Sequence, residues 1–108
     1  MNGKRIIVAD DHSFVRLGLI QILKDEYPSA EIREVTDGES LVKEVIRQDW
    51  DLVISDLDMP GRNGLEALEQ IKLVKPQLPV IILSIYTDDL YAIRALKAGA
   101  SGYLNKNA

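Results

Sequence analysis

The sequence predicts an α/β domain built on a doubly wound parallel sheet. Two observations support this prediction: short apolar runs alternate with longer helical patterns along the chain, and the last pattern before the end is again strand-like. The resulting order, strand then helix four times followed by a fifth strand, calls for right-handed crossovers between parallel strands. At 108 residues the chain has room for one domain with one hydrophobic core.

The five predicted strands are of different kinds. Three are unbroken apolar runs rich in β-branched residues, as expected for strands buried on both faces of a sheet. One alternates polar and apolar residues and is typical of an edge strand, and the last one is short. The buried strands are predicted at residues 6–9, 52–54 and 80–83, the edge strand at 31–35, and the short strand at 102–104.

Four helices are predicted between the strands, from apolar residues that recur every three or four positions. Asn63 is a predicted N-cap with Glu66 at the third helical position. Asp88 and Asp89 suit the amino end of the fourth helix, and Gly99 is a predicted left-handed cap at its carboxyl end. The helices are expected at residues 13–25, 39–49, 64–74 and 88–98, with apolar stripes of Val15, Leu19 and Ile22 in the first and of Leu90, Ile93 and Leu96 in the fourth.

The composition is that of an ordinary soluble domain. The net charge is −4 and the pI about 4.9, so direct nucleic-acid or anionic-membrane binding by this domain is not expected. The absence of cysteine excludes disulfides and thiolate metal sites. The first residues resemble no signal peptide and no window suits a membrane span, so a cytoplasmic location is expected.

Carboxylates stand at the ends of two predicted strands. Asp10 and Asp11 close the first strand, and Asp56 closes the third. These strands are neighbours if the sheet has the flavodoxin-like order 2-1-3-4-5, in which ligands bind beyond the carboxyl ends of the strands. Like charges about 4 Å apart repel by about 4 kcal/mol at an effective dielectric constant of about 20, so such a cluster calls for a cation. An oxygen-ligated ion such as Mg²⁺ fits.

Two further residues fall at the same edge of the sheet. Ser84 ends the fourth strand and Lys106 follows the fifth. Alone, such a serine is usually a turn former, such a lysine a solvated charge, and a single strand-end aspartate a surface residue. Together they supply an acceptor carboxylate, metal ligands, a hydroxyl and a cation, which are the parts that phosphoryl transfer requires. An aspartate nucleophile that forms an aspartyl phosphate is one recognised route.

These residues carry a resemblance to a known family. The pair Asp10-Asp11, residues 52–61, Ser84, and residues 99–106 together resemble the receiver domain of bacterial two-component response regulators. The match extends over the whole chain in the right order. Asp11-His12 and the Gly-Tyr-Leu-x-Lys pattern resemble the NarL/FixJ (LuxR-type) subfamily. Members of that subfamily usually carry a DNA-binding domain further on.

The resemblance implies a role for each acidic residue. Asp56 is the implied phosphoacceptor, which takes a phosphoryl group from the phosphohistidine of a partner histidine kinase in a Mg²⁺-dependent reaction. Asp10, Asp11 and Asp56 are the implied metal-binding carboxylates, and the backbone carbonyl of Asp58 is a further ligand. The chain is then a signalling domain that assists only its own phosphoryl transfer and dephosphorylation, and not a metabolic enzyme.

The resemblance also implies a switch. Ser84 hydrogen-bonds the phosphoryl group, Lys106 pairs with it, and Tyr103 changes rotamer with the phosphorylation state. The output is expected to be transcription, through a DNA-binding domain that these residues do not include. From sequence alone, Tyr103 is equally well explained as a core residue, and His12 as a residue that starts the first helix.

Two other functions remain as alternatives. A pseudo-receiver would keep the fold as an interaction module, but it predicts a broken site, whereas every expected position is filled here. A haloacid-dehalogenase-type phosphatase also uses an aspartate on a strand that ends in Asp-x-Asp, as in Asp56-Leu57-Asp58. Met59 and Pro60 replace the Gly-Thr that follows in that family, and the chain is short for its fold.

The chain as written stops after the fifth strand, where receivers continue into a fifth helix. A helix that buries three or four apolar side chains contributes about 5–10 kcal/mol, comparable to the stability of a whole domain of about 5–15 kcal/mol. We therefore expect residues 1–108 to form a receiver domain that lacks its last helix, and to self-associate through the uncovered face.

Overall fold

A computed structural model describes residues 3–86 and 89–106 of the chain. Its strands are β1 (Arg5–Ala9), β2 (Glu31–Val35), β3 (Leu52–Asp56), β4 (Val80–Ser84) and β5 (Gly102–Asn105). All pair in parallel, in the order β2-β1-β3-β4-β5. The predicted flavodoxin-like sheet order is confirmed, with β2 at one edge as its alternating sequence indicated.

Four helices connect the strands: α1 (Ser13–Glu26), α2 (Gly38–Arg47), α3 (Gly64–Val74) and α4 (Asp89–Lys97). Asn63 caps α3 as predicted, since its side chain accepts from the Glu66 amide and the Glu66 carboxylate accepts from the Asn63 amide. Gly99, after α4, has a φ of 106°, which is the predicted left-handed conformation. Asp88 lies outside the described residues.

The sheet has a larger core on one face than on the other. Helices α2, α3 and α4 cover one face, where residues such as Leu41, Leu68 and Ile82 are buried. Helix α1 packs on the opposite face, where Leu23 meets the smaller cluster around Val8 and Leu83. Both faces bury the β-branched residues of the central strands, as expected for an α/β sheet covered on both sides.

The predicted apolar stripes of two helices are partly wrong. Ile22 of α1 is 61% exposed, and the neighbouring Leu23 is the residue that packs on the sheet. The α4 stripe is about half exposed throughout, at 49% for Leu90, 48% for Ile93 and 53% for Leu96. Ala95 is the buried residue of α4, because a small side chain lets the helix lie close to the sheet.

Several large apolar side chains on the α1 side are exposed, including Phe14, Leu17 and, on β5, Leu104. Exposed apolar side chains favour association between proteins when they form a continuous patch, and the self-association of this chain stays a prediction. Among the described residues, no helix combines the length and the apolar character needed to cross a membrane.

Candidate functional site

The predicted functional residues meet at the carboxyl edge of the sheet. Asp10 follows β1, Asp56 is the last residue of β3, Ser84 is the last residue of β4, and Lys106 follows β5. Asp10, Asp56 and Ser84 are buried, with at most 3% of their surface exposed. Buried polar groups at the end of a parallel sheet are unusual outside functional sites.

Lys106 joins the two buried carboxylates. Its Nζ lies 2.9 Å from Asp10 Oδ2 and 3.0 Å from Asp56 Oδ2. The three side chains are 8%, 0% and 4% exposed, in the order Lys106, Asp10, Asp56. The lysine is held there by the end of the sheet, since its backbone N–H donates to the Ser84 carbonyl at 2.7 Å. One ammonium therefore faces two carboxylates with little exposure to water.

The charges in this pocket shift two pKa values. Burial raises the pKa of Asp56 above its ordinary 3.8, the charge of Asp10 adds to the rise, and the hydrogen bond from Lys106 offsets it only in part. Burial lowers the pKa of Lys106, but its hydrogen bonds to Asp10 and Asp56 outweigh burial, so the net shift is upward from 10.5. The cation is thus well compensated, whereas Asp56 remains a costly buried anion.

Asp11 and His12 form the open side of the pocket. His12 Nδ1 lies 3.2 Å from Asp10 Oδ1, 3.3 Å from Asp11 Oδ1 and 3.6 Å from Asp56 Oδ2. The His12 side chain is 58% exposed and that of Asp11 is 34% exposed. His12 is the N-cap residue of α1, as expected for a residue that starts the helix, and its backbone N–H donates to Asp10 Oδ1 at 2.8 Å.

The pocket has the donor set of a cation site. One ligand atom from each of Asp10, Asp11, His12 and Asp56 falls within a group whose members are all within 4.8 Å of one another. Asp10 Oδ2 and Asp56 Oδ2 are buried and share one cation, the ammonium of Lys106, at 2.9 and 3.0 Å. Two buried carboxylates that share one ammonium keep a net negative charge, which suits an oxygen-ligated divalent ion such as Mg²⁺. The residues present therefore fit a metal ion.

The loops after β3 and β4 meet above Asp56. The Asp58 amide approaches Asp56 Oδ1 at 3.4 Å, and the exposed Asp58 carboxylate accepts a hydrogen bond from the Tyr86 hydroxyl, which raises the pKa of Tyr86 above 10.0. The Tyr86 amide donates to Ser84 Oγ at 2.9 Å. The Tyr86 ring stacks on Tyr91 of α4, with centroids 4.7 Å apart. The serine hydroxyl and α4 are therefore connected through one aromatic residue.

Tyr103 lies in β5 and packs against the larger core. Its hydroxyl is buried and has no hydrogen-bond partner, which costs about 1–3 kcal/mol. The ring is therefore a core residue in this conformation, and its polar end is poorly accommodated there.

The backbone of Asp56 and Leu57 is fixed by a close contact with α3. The Gly64 amide donates to the Leu57 carbonyl at 2.7 Å. A Cβ atom built on Gly64 would lie 2.1 Å from the Asp56 carbonyl oxygen. Only glycine allows the helix to begin this close to the strand end.

Sequence reasoning missed three contributors to the site. His12 is close to all three carboxylates, Tyr86 bridges the two loops, and Arg16 donates to the Asp10 carbonyl at 2.6 Å and to Glu34 at 2.8 Å. The placement of His12 immediately after the acidic pair was a usable signal. Tyr86 and Arg16 gave none, because loop and helix side chains reach the pocket only through the tertiary fold.

Comparison with known proteins identifies relatives over the whole chain. The family described as the response regulator receiver domain matches residues 6–108. "Transcriptional regulatory protein DegU" of Brevibacillus brevis is 37% identical over 105 residues, which cover 97% of this chain and 44% of that protein. "Oxygen regulatory protein NreC" of Staphylococcus haemolyticus is 36% identical, with 96% of this chain and 48% of that protein covered. The chain thus spans about half the length of these relatives.

Solved structures lead to the same family. A two-component response regulator of the LuxR family from Aurantimonas sp. superposes with a TM-score of 0.90 at 29% identity, over 99% of this chain and 76% of that one. The family match, the sequence relatives and the shared sheet order agree with the position of the acidic pocket. The chain belongs to the response regulator receiver domain family of two-component signalling, and its relatives are of the NarL/LuxR type.

Proposed function

We propose that this domain is a phosphoacceptor switch in which Asp56 takes a phosphoryl group from the phosphohistidine of a histidine kinase. The observation that carries the proposal is the buried ammonium of Lys106, within 3.0 Å of both Asp10 and Asp56. An oxygen of the Asp56 carboxylate attacks phosphorus, the phosphorus–nitrogen bond breaks, and the kinase imidazole leaves. The chain itself supplies position and charge, which are the main needs of this reaction.

Asp10, Asp11 and Asp56 are proposed to hold Mg²⁺, with the backbone carbonyl of Asp58 as a further ligand. When bound, Mg²⁺ neutralises charge on the carboxylates and on the phosphoryl oxygens. Asp10 and Asp56 are held for this by their strands, whereas the partly exposed Asp11 can adjust. The raised pKa of Asp56 reflects burial beside Asp10, and a divalent cation would relieve that repulsion.

Ser84 and Lys106 are proposed to bind the new phosphoryl group. Lys106 is already beside Asp56, whereas Ser84 Oγ accepts a hydrogen bond from the Tyr86 amide at 2.9 Å. Two charge-assisted hydrogen bonds at about 1.5–3 kcal/mol each give about 3–6 kcal/mol. A shift of a two-state population from 1:99 to 99:1 requires about 5.5 kcal/mol. The two contacts are therefore of the right size to drive a switch.

Tyr103 is the proposed moving residue. Its buried hydroxyl without a partner disfavours the present rotamer, and a movement of Ser84 toward the phosphoryl group would disturb the contact that connects Ser84, Tyr86 and α4. The domain then reports phosphorylation on the α4 and β5 surface. By this proposal it acts in the cytoplasm and controls transcription through a DNA-binding region of the parent protein. The name of the DegU relative describes that protein as a transcriptional regulator.

The test is labelling of the chain by acetyl phosphate with Mg²⁺. We expect one phosphoryl group per chain, lost in Asp56→Asn and kept in Asp49→Asn, a matched change at a fully exposed aspartate at the other end of the sheet. Labelling of Asp56→Asn would overturn the proposal. A titration with beryllofluoride and Mg²⁺ followed by NMR addresses the alternatives: a pseudo-receiver gives no response, and a phosphatase turns over a phosphate monoester.

A further inference from the structure

Arg16 of α1 links two parts of the chain beside the acidic pocket. One of its terminal nitrogens, Nη1, donates to the backbone carbonyl of Asp10 at 2.6 Å, and its Nε donates to Glu34 Oε1 of β2 at 2.8 Å. The Arg16 side chain is only 16% exposed. A planar guanidinium presents its donors at fixed angles, so two hydrogen bonds hold both partners in one geometry. The residue that follows β1 is therefore connected to the edge strand β2 through one rigid group.

The carbonyl that Arg16 binds belongs to the peptide group between Asp10 and Asp11. That group is planar, so the direction of the carbonyl oxygen sets the position of the Asp11 Cα. The rest of Asp10 is held as well, since its amide donates to the Val35 carbonyl at 3.1 Å and its Oδ1 accepts from the His12 amide at 2.8 Å. The Asp11 carboxylate is 34% exposed, and its direction depends on the peptide that Arg16 fixes.

The position of Arg16 is not explained by the helix that contains it. Arg16 is the fourth residue of α1, where the partial positive charge of the helix amino end disfavours a cation. Helices α2 and α3 begin instead with the capping side chains of Asp37 and Asn63 and have an acidic residue in the first turn, whereas α1 has neither. A residue that conflicts with a local preference is expected where a tertiary contact or a site requires it.

We propose that Arg16 is a positioning residue for the metal-binding carboxylates, which fixes the peptide between Asp10 and Asp11 so that both side chains serve one pocket. The inference rests on the proposed function in one respect, that these carboxylates hold Mg²⁺. The positive charge of Arg16 would by itself repel a cation, so the contribution of this residue to Mg²⁺ binding is geometric. Glu34 holds the guanidinium in place and compensates its charge.

Calorimetric titration with Mg²⁺ tests the proposal, because geometry and charge predict opposite signs. Arg16→Met should weaken Mg²⁺ binding by about tenfold, as the loss of a group that orients metal ligands does, although the substitution removes a repelling charge. Arg33→Met is the matched control, since Arg33 is also an arginine paired with a glutamate, Glu44. Its Mg²⁺ affinity should stay within about twofold of that of the unaltered chain, because exposed charges are screened. An unchanged or tighter affinity in Arg16→Met, or an equal loss in Arg33→Met, would overturn the inference.

Labelling by acetyl phosphate separates positioning from general damage to the pocket. With saturating Mg²⁺, Arg16→Met should label Asp56 at close to the unaltered rate, because the acceptor and Lys106 stay in place on their strands. The loss should appear as a higher Mg²⁺ concentration for half-maximal rate. A rate that stays low at saturating Mg²⁺ would show that Arg16 supports the pocket as a whole, and would refute the positioning role.

Arg16→Lys answers the same question if Arg16→Met does not fold. Lysine keeps the charge and loses the planar fork, so Mg²⁺ binding should weaken by about threefold. An affinity equal to that of the unaltered chain would overturn the inference and leave the proposed function intact. If the unaltered chain itself binds no Mg²⁺, the proposed function and this inference fail together.

Discussion

The two ends of the parallel sheet differ in how far their charged groups are compensated. At the amino end, Arg5 lies over the Trp50 ring at 4.5 Å and donates to the Asp49 carbonyl, and the Trp50 indole N–H donates to the Glu44 carbonyl at 3.0 Å. At the carboxyl end, two buried carboxylates share one lysine. The first end is a satisfied structural cluster, whereas the second retains unmet charge. That difference marks the end at which a charged ligand belongs.

The largest expected loss of stability comes from a substitution at the amino end of the sheet. Trp50 is 8% exposed and is the aromatic centre of its cluster, so Trp50→Ala should lower the free energy of unfolding by about 3–5 kcal/mol. The loss should be the same with and without Mg²⁺, because Trp50 precedes β3 whereas Asp56 is the last residue of that strand. Chemical denaturation in both conditions measures it. A loss that Mg²⁺ reverses would contradict the separation of the two ends.

Lys106→Met removes the cation from the pocket at the carboxyl end of the sheet. Removal of the ammonium leaves Asp10 and Asp56 buried without a cation, so we expect a loss of about 3 kcal/mol in metal-free solution. Mg²⁺ should offset part of this loss, since a divalent ion supplies the missing charge and binds the folded state. The comparison of denaturation midpoints with and without Mg²⁺ is the measurement. An equal loss in both conditions would argue against a cation site between these carboxylates.

Asp56→Asn should stabilise the metal-free domain. The pKa of Asp56 is raised by burial, so its ionised form costs stability at neutral pH, and the amide removes that cost while Lys106 keeps Asp10 as a partner. We expect a gain of about 1–3 kcal/mol at pH 7. Protonated Asp56 stabilises the folded state relative to ionised Asp56, and this stabilisation is lost as pH rises through the raised pKa. The advantage of asparagine therefore shrinks as pH falls through that value and is absent below 3.8.

The matched control for that prediction is Asp51→Asn. Asp51 is exposed, immediately precedes β3 and accepts from the Arg5 amide at 2.8 Å. An asparagine oxygen can accept the same hydrogen bond, so the free energy of unfolding should change by less than about 0.5 kcal/mol. A stabilisation as large as that of Asp56→Asn would mean that the effect comes from net charge and not from the pocket.

The smallest effect is expected at Tyr103. Its buried hydroxyl has no partner, so Tyr103→Phe should stabilise the unphosphorylated state by about 1 kcal/mol. Tyr27→Phe is the control, since Tyr27 is 48% exposed. Thermal denaturation of both variants tests the difference. Destabilisation by Tyr103→Phe would show that the hydroxyl is satisfied, and would remove one argument for Tyr103 as the switch.

The fold was largely predictable because buried parallel strands leave unbroken apolar runs, and the edge strand β2 leaves an alternating one. Helix orientation was less predictable. The apolar stripe of α4 suggested Leu90, Ile93 and Leu96 as core residues, but these are about half exposed and Ala95 is buried instead. Periodicity locates an apolar face, whereas the distance between helix and sheet decides whether large or small side chains face inward.

The residues of the site also fall into those that the sequence could predict and those that it could not. Asp10, Asp56, Ser84 and Lys106 could be predicted to meet, because parallel strands place their carboxyl ends at one edge. Two other contacts could not be predicted: the position of His12 over the carboxylates and the hydrogen bond from Tyr86 to Asp58. Both depend on the path of single loops. Residues fixed by the sheet follow from the order of strands, and residues fixed by loops require the structure.

The contact between Gly64 and the end of β3 has a mechanical consequence. The Asp56 carbonyl touches the first turn of α3 with no side chain between them, and Asn63 and Glu66 lock that turn in place. The two parts are in direct contact, so a displacement of the Asp56 backbone must also displace the start of α3. A small movement at Asp56 would therefore become a larger movement at the far end of α3. Gly64→Ala would separate the two parts and change how far a local displacement travels through the domain.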